Sequence, residues 1–180
     1  MGNSGSKLYF RLAAGVALLL AATSLAAAEP PAIRIEVDLR EAPRRIFHAH
    51  LAIPARPGPL TLLYPKWIPG EHGPNGPIAD VAGVKFIAAG KPLAWRRDDV
   101  DMYAFHLEVP AGVDSVEATL DYLSPSNAEG FTSSPAATAQ LAVLNWSLLL
   151  LYPQGGKSDE LTYAARLRLP AGWEFATALP

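Results

Sequence analysis

Apolar and polar residues alternate one by one along much of this chain. Ile33, Ile35, Val37 and Leu39 stand against Arg34, Glu36, Asp38 and Arg40. Phe47, Ala49, Leu51 and Ile53 alternate with His48 and His50. The same rhythm places Tyr103, Phe105, Leu107 and Val109 opposite Ala104, His106 and Glu108. It returns in Val116, Ala118, Leu120 and Tyr122, and again in Tyr163, Ala165, Leu167 and Leu169. Successive side chains of a strand point to opposite faces, so a period of two predicts strands with one dry and one wet face. Less regular apolar runs at residues 60–64, 84–88, 141–146 and 148–152 predict further strands, the last one buried. The breaks between them carry turn chemistry: Arg56-Pro57-Gly58-Pro59, Ala89-Gly90-Lys91-Pro92, Pro110-Ala111-Gly112 and Pro153-Gln154-Gly155-Gly156.

Strands that are dry on one side must bury that side against something. Two antiparallel sheets packed face to face satisfy all of them, which predicts an all-β fold, a sandwich of roughly 8–10 short strands. The 17 prolines among 180 residues argue the same way, because proline breaks helix interiors. Only residues 134–144 leave room for a turn or two of helix. An internal echo links Tyr103-Ala104 … Pro110-Ala111-Gly112 to Tyr163-Ala164 … Pro170-Ala171-Gly172. Duplication and convergent strand-ending chemistry both account for it.

The first segment follows a different logic. Lys7 and Arg11 precede an uncharged run from Leu12 to Leu25, and Ala26-Ala27-Ala28 supplies small residues before Glu29. This pattern predicts a signal peptide over residues 1–28, helical until cleaved, and an exported domain over residues 29–180, periplasmic or secreted. The apolar run is shorter than the ~20 residues of a spanning helix, so no membrane association is expected after cleavage. Losing Lys7 and Arg11 from 15 basic residues, with all 17 acidic ones kept, leaves a net charge of about −4. Such a balance gives no electrostatic reason to bind nucleic acid. The absence of cysteine rules out disulfides, thiolate metal sites and a cysteine nucleophile.

Candidate chemistry is sparse. None of His48, His50, His72 and His106 belongs to an H-E-x-x-H pair, whose two imidazoles would share one helix face beside a glutamate base. His48 and His50 share a strand face, with His106 as a conceivable third ligand; the plainer reading is a solvated polar face. Asp98-Asp99 and Asp159-Glu160 read as charged turns, Trp95-Arg96-Arg97 as a sheet edge, and Asn145-Trp146-Ser147 as a chance match to a glycosylation pattern. No catalytic residue and no metal ligand set is assigned. The unusual segment is Tyr64 to Asp80, YPKWIPGEHGPNGPIAD, with four prolines and three glycines in seventeen residues. It can be neither strand nor helix, yet it holds Trp67, Gly70, Glu71, His72 and Asn75. Long ordered loops on sandwiches often carry binding. The competing reading is an Ω-like loop with Trp67 tucked beneath it as a packing anchor.

Several separated strings occur together in order: YPKWIPGEHGPNGPIADVAG with its W-x-P-G element at Trp67-Ile68-Pro69-Gly70, WRRDDVDMYAFHLEVPAG, LAVLNWSLLLLYPQG and LRLPAGWEFATALP. In these the chain, from Ala32 to Pro180, resembles the N-terminal domain of the glycyl aminopeptidase-type zinc metallopeptidases, which often carry a PDZ domain. The resemblance implies an N-terminal β-domain that precedes a thermolysin-like catalytic domain with H-E-x-x-H. This chain matches only the first part, so the zinc ligands and catalytic glutamate have no counterpart in it, and no cofactor is expected here; zinc belongs to full-length members. The resemblance implies a non-catalytic domain that supports a catalytic partner and substrate access, with the loop of Trp67, Gly70, Glu71, His72 and Asn75 near the substrate. The apolar finish at residues 167–180 adds the expectation of a truncated or fragmentary peptidase with an exposed apolar docking patch. The alternative is a free-standing binding module for peptide, glycan or protein.

Overall fold

A computed structural model describes residues 32–70, 72–125, 136–157 and 159–179. The predicted signal segment and Glu71 lie outside these described residues. The strands are β1 (Ile33–Asp38), β2 (Ile46–Pro54), β3 (Gly58–Leu63), β4 (Val81–Ala88), β5 (Lys91–Pro92), β6 (Trp95–Arg97), β7 (Ala104–Val109), β8 (Ser115–Leu123), β9 (Tyr152–Pro153) and β10 (Tyr163–Arg168). They build a six-stranded sheet in the order β10-β1-β2-β8-β4-β5 and a four-stranded sheet in the order β6-β7-β3-β9. All neighbours run antiparallel except β10, which lies parallel to β1. The fold is the expected all-β sandwich.

The alternation decides which residues enter the core. Ile33, Ile35 and Val37 of β1, Phe47 to Ile53 at every second position of β2, and Val116 to Tyr122 at every second position of β8 are all buried. Phe105, Leu107 and Val109 of β7 and Leu62 of β3 face them from the other sheet and join the same core cluster. The sheets are locked by a ring cluster. Phe86 of the larger sheet lies 6.0 Å from Phe105 and 5.8 Å from Trp95, and Trp95 lies 5.5 Å from Phe105. Tilted and edge-on rings of this kind add to their area burial. Trp95-Arg96-Arg97 is thus an edge strand, as its sequence suggested.

Several expectations need correction. Residues 141–146 form no strand: Ala142 makes one isolated bridge to Ala137, and the Asn145 carboxamide accepts from the Ser147 N–H at 3.2 Å, turning the chain into a 3-10 turn, Trp146–Leu148. Asn145 therefore serves as a cap. Leu148, Leu149 and Leu151 are buried as expected, but extended pairing begins only at Tyr152. Within residues 134–144, the described part, 136–144, contains no helix. The Pro-Ala-Gly echo resolves into one turn used twice. Val113 N–H bonds to Pro110 carbonyl and Trp173 N–H to Pro170 carbonyl, with Gly112 and Gly172 both at φ 78°. A positive φ at that turn position favours glycine. The preceding strands, β7 and β10, belong to different sheets with different neighbours, which favours convergent turn chemistry over duplication.

Phe105→Ala removes the ring that joins the two sheets at a fully buried position. It is expected to lower unfolding free energy by about 3–5 kcal/mol, read from urea denaturation at constant m-value; a loss under ~1 kcal/mol would show that the sheets do not meet there.

Candidate functional site

The proline- and glycine-rich segment leaves β3 at one end of the sandwich, and it is tied down at its base. Tyr64 is buried; its N–H donates to the Tyr103 carbonyl at 2.9 Å and its hydroxyl to the Leu148 carbonyl at 2.9 Å. The rings of Tyr64 and Tyr103 stack at 6.4 Å. The Tyr103 hydroxyl reaches the carbonyls of Gly76 at 2.8 Å and Pro74 at 3.1 Å. Gly76 N–H closes the loop onto the Lys66 carbonyl at 2.7 Å. A Cβ on residue 76 would stand 1.8 Å from the Pro65 carbonyl oxygen, so only glycine permits this approach. The Lys66 ammonium pairs with the Asp101 carboxylate and lies 5.4 Å from the Tyr103 ring centroid.

This pinning leaves the tip outward. Trp67 is 65% exposed, and Gly70, His72 and Asn75 are exposed too. The loop is Ω-like, but its packing anchors are Tyr64, Tyr103 and the half-buried Ile68, not Trp67. Exposed Val100, at 97%, and Met102 flank Asp101, the partner of Lys66. Trp67, Val100 and Met102 are thus the exposed apolar chain neighbours of the Lys66–Asp101 ion pair. Lys66, Asp101 and Tyr103 were not singled out by sequence reasoning; their pairing is long-range, and no local pattern signals it.

A polar chain supports this end of the molecule. Asp98 accepts from the N–H groups of Val100 and Asp101 at 2.9 and 2.8 Å and from His106 Nε2 at 2.8 Å. These bonds, the Asp101 N–H foremost, hold its carboxyl well below the usual carboxylate range. On the other side of the ring, His106 Nδ1 lies 2.9 Å from the Thr61 hydroxyl. His106 thus fixes the turn that presents Asp101 to Lys66.

The other histidines are elsewhere. His48 and His50 lie on the outer face of the six-stranded sheet, whereas His106 lies on the four-stranded one. His50 Nε2 meets Glu117 at 3.2 Å. His48 Nδ1 lies 2.7 Å from Asp121 and Nε2 3.5 Å from Glu41. Burial opposes the charge on His48, but Asp121 and Glu41 outweigh it and raise its pKa. Each imidazole is held by carboxylates, and among the described residues no three His, Asp or Glu side chains are arranged to hold a metal ion. Among them, too, no helix is long and apolar enough to cross a membrane.

The model of the peptidase M61 N-terminal domain family matches residues 34–180. Among solved structures, the chain is similar to a crystal structure of an aminopeptidase N family protein from Idiomarina loihiensis, with a TM-score of 0.63 and 17% identity. The match covers 77% of this chain and 22% of that one, so this chain spans less than a quarter of that protein's length. At such identity the likeness is one of fold. No curated protein matches the chain.

Gly76→Ala should cost about 1–3 kcal/mol and speed proteolytic cleavage within residues 64–77; unchanged cleavage would show the base is not closed as described. His48 gives a pH signature. Its pKa is raised on folding, so its contribution is full below the unfolded value near 6.5 and fades as pH rises through the higher folded value. His48→Gln should flatten the fall in melting temperature over that window; a profile identical to wild type contradicts the pairing.

Proposed function

The chain belongs to the peptidase M61 N-terminal domain family, and from that premise we propose that it is the exported, non-catalytic β-domain of such a peptidase, supporting a catalytic domain and substrate access. The observation that carries this reading is the family match over residues 34–180, joined to a pinned loop that holds Trp67 65% exposed. A large aromatic held rigidly in water costs little entropy to dock and is a common interface anchor. Val100 and Met102 beside the Lys66–Asp101 pair extend the apolar surface that a catalytic domain would cover. Export to the periplasm or outside the cell rests on the pattern of residues 1–28.

A second reading, a free-standing extracytoplasmic module that binds peptide, glycan or protein, draws on the same exposed Trp67. The two part on what Trp67 meets. In the first, the loop of Trp67, Gly70, Glu71, His72 and Asn75 borders a peptide cleft completed by the catalytic domain. In the second, it binds its ligand unaided.

Mixing the chain with the separately produced catalytic portion of a peptidase M61 protein should raise that portion's melting temperature and its turnover of glycyl or alanyl peptide substrates. Trp67→Ala should weaken the association by about 30-fold or more, the scale of an interface hot spot. No association, or turnover by this chain alone with zinc that chelation abolishes, would overturn the proposal.

A further inference from the structure

We propose that the free edge of β10 takes up an extended peptide from another polypeptide as an added strand, one in which apolar residues alternate with acidic ones. The proposal stands apart from the Trp67 loop and concerns a different surface.

The first argument is main-chain valence. Ile33 N–H donates to the Thr162 carbonyl at 2.9 Å, and Leu39 N–H to the Arg168 carbonyl at 2.8 Å. With the register Ile33↔Tyr163 through Asp38↔Arg168, these bonds fix the parity of the ladder. Ala164, Arg166 and Arg168 turn their main-chain groups toward β1. Tyr163, Ala165 and Leu167 turn theirs outward, where among the described residues no strand pairs with them. An unpaired row of N–H and C=O groups is a template for another strand.

The other sheet edges are blunted. β5 is two residues, Lys91–Pro92; β9 is two residues, ending in Pro153; β6 is three residues. Short length, lysine and proline are the devices that discourage pairing at an edge. β10 is six residues long and contains no proline and no bulge.

The two faces of β10 then specify the side chains. On the inner face, a groove of 360 Å³ is lined by Trp146, Tyr163, Ala165, Leu167, Phe175 and Leu179, among others. Phe175 is 64% exposed there. On the outer face, Ala52 and Ala164 leave a cavity of 640 Å³ bordered by Arg34 and Arg166. The carboxylates nearby are engaged: Glu36 with Arg168 at 2.6 Å and Glu117 with His50 at 3.2 Å. Among the described residues no ion pair engages Arg34 or Arg166. Hollows thus adjoin both faces of this edge strand, the outer one running inward over β1, β2 and β8 and the inner one lying between β10 and the segment of Phe175 and Leu179. Because a strand sends successive side chains to opposite faces, the apolar residues of an added strand enter the groove and its acidic ones meet the arginines.

The test uses the full chain and fluorescein-labelled octapeptides read by anisotropy. A peptide alternating Leu and Glu is expected to bind. Its Leu/Lys counterpart, and an isomer with Leu and Glu in separate blocks, are expected to bind at least about tenfold more weakly. Ala165→Pro removes an outward N–H without touching a bond to β1, so it should abolish binding with the melting temperature nearly unchanged. Should that variant unfold, the exposed pair Arg34→Glu and Arg166→Glu should invert the preference toward the Leu/Lys peptide. Equal binding of the three peptides, wild-type binding by Ala165→Pro, or no inversion would overturn the proposal. So would self-association of the chain abolished by Ala165→Pro, which would assign the edge to a second copy.

Discussion

The structure depends on one constraint: a strand with one apolar and one polar face is stable only if the apolar face is covered. Ile33, Ile35 and Val37 cannot stay in water while Arg34, Glu36 and Asp38 cannot leave it, so β1 must lie with one side on another layer. The same holds for β2, β7 and β8. Two sheets closing on Phe86, Trp95 and Phe105 satisfy every strand at once. Burial at roughly 25 cal/mol per Å² of apolar surface is the main favourable term in such a core. It also dictates where polar groups go, since the charges of β1, β2, β7 and β8 are left on the outer faces.

That division explains the distribution of chemistry. Three of the four histidines, His48, His50 and His106, fall at polar positions of alternating strands, so they emerge on outer faces, two on one sheet and one on the other. There they are taken up by cross-strand carboxylates, His48 by Asp121 and His50 by Glu117. His106 joins Asp98 and Thr61 in a chain that steadies the turn beneath Lys66. These groups hold the scaffold in shape. What they leave presented to the surroundings is apolar: Trp67 at the end of a pinned loop, and the inner groove beside β10.

Much of this could be read from the amino-acid sequence, for a physical reason. Period-two alternation is local, and it identified β1, β2, β7, β8 and β10 together with the dry faces of the first four; the apolar face of β10, with Ala165 exposed and Tyr163 and Leu167 half-buried, stays partly open. The resemblance to a peptidase N-terminal domain agrees with the family match. Pairing is not local. Nothing in Tyr163-Ala164-Ala165-Arg166 says that β10 runs parallel to β1, or that its neighbour on the other side is missing among the described residues. Trp67 sits where no periodicity exists, so its outward direction followed only once Gly76, Tyr103 and Lys66 were seen to close the loop. Residues 141–146 misled because apolar content resembled a strand while Asn145 diverted the backbone.

Among the described residues, β10 is the longest strand left at a sheet edge. Residue-resolved amide hydrogen exchange of the free chain examines it directly. Protection should alternate along β10, with Ala164, Arg166 and Arg168 slow because they bond to β1, and Tyr163, Ala165 and Leu167 fast. Uniform protection along β10, or slow exchange at Ala165, would mean that the edge is already covered and would contradict the account.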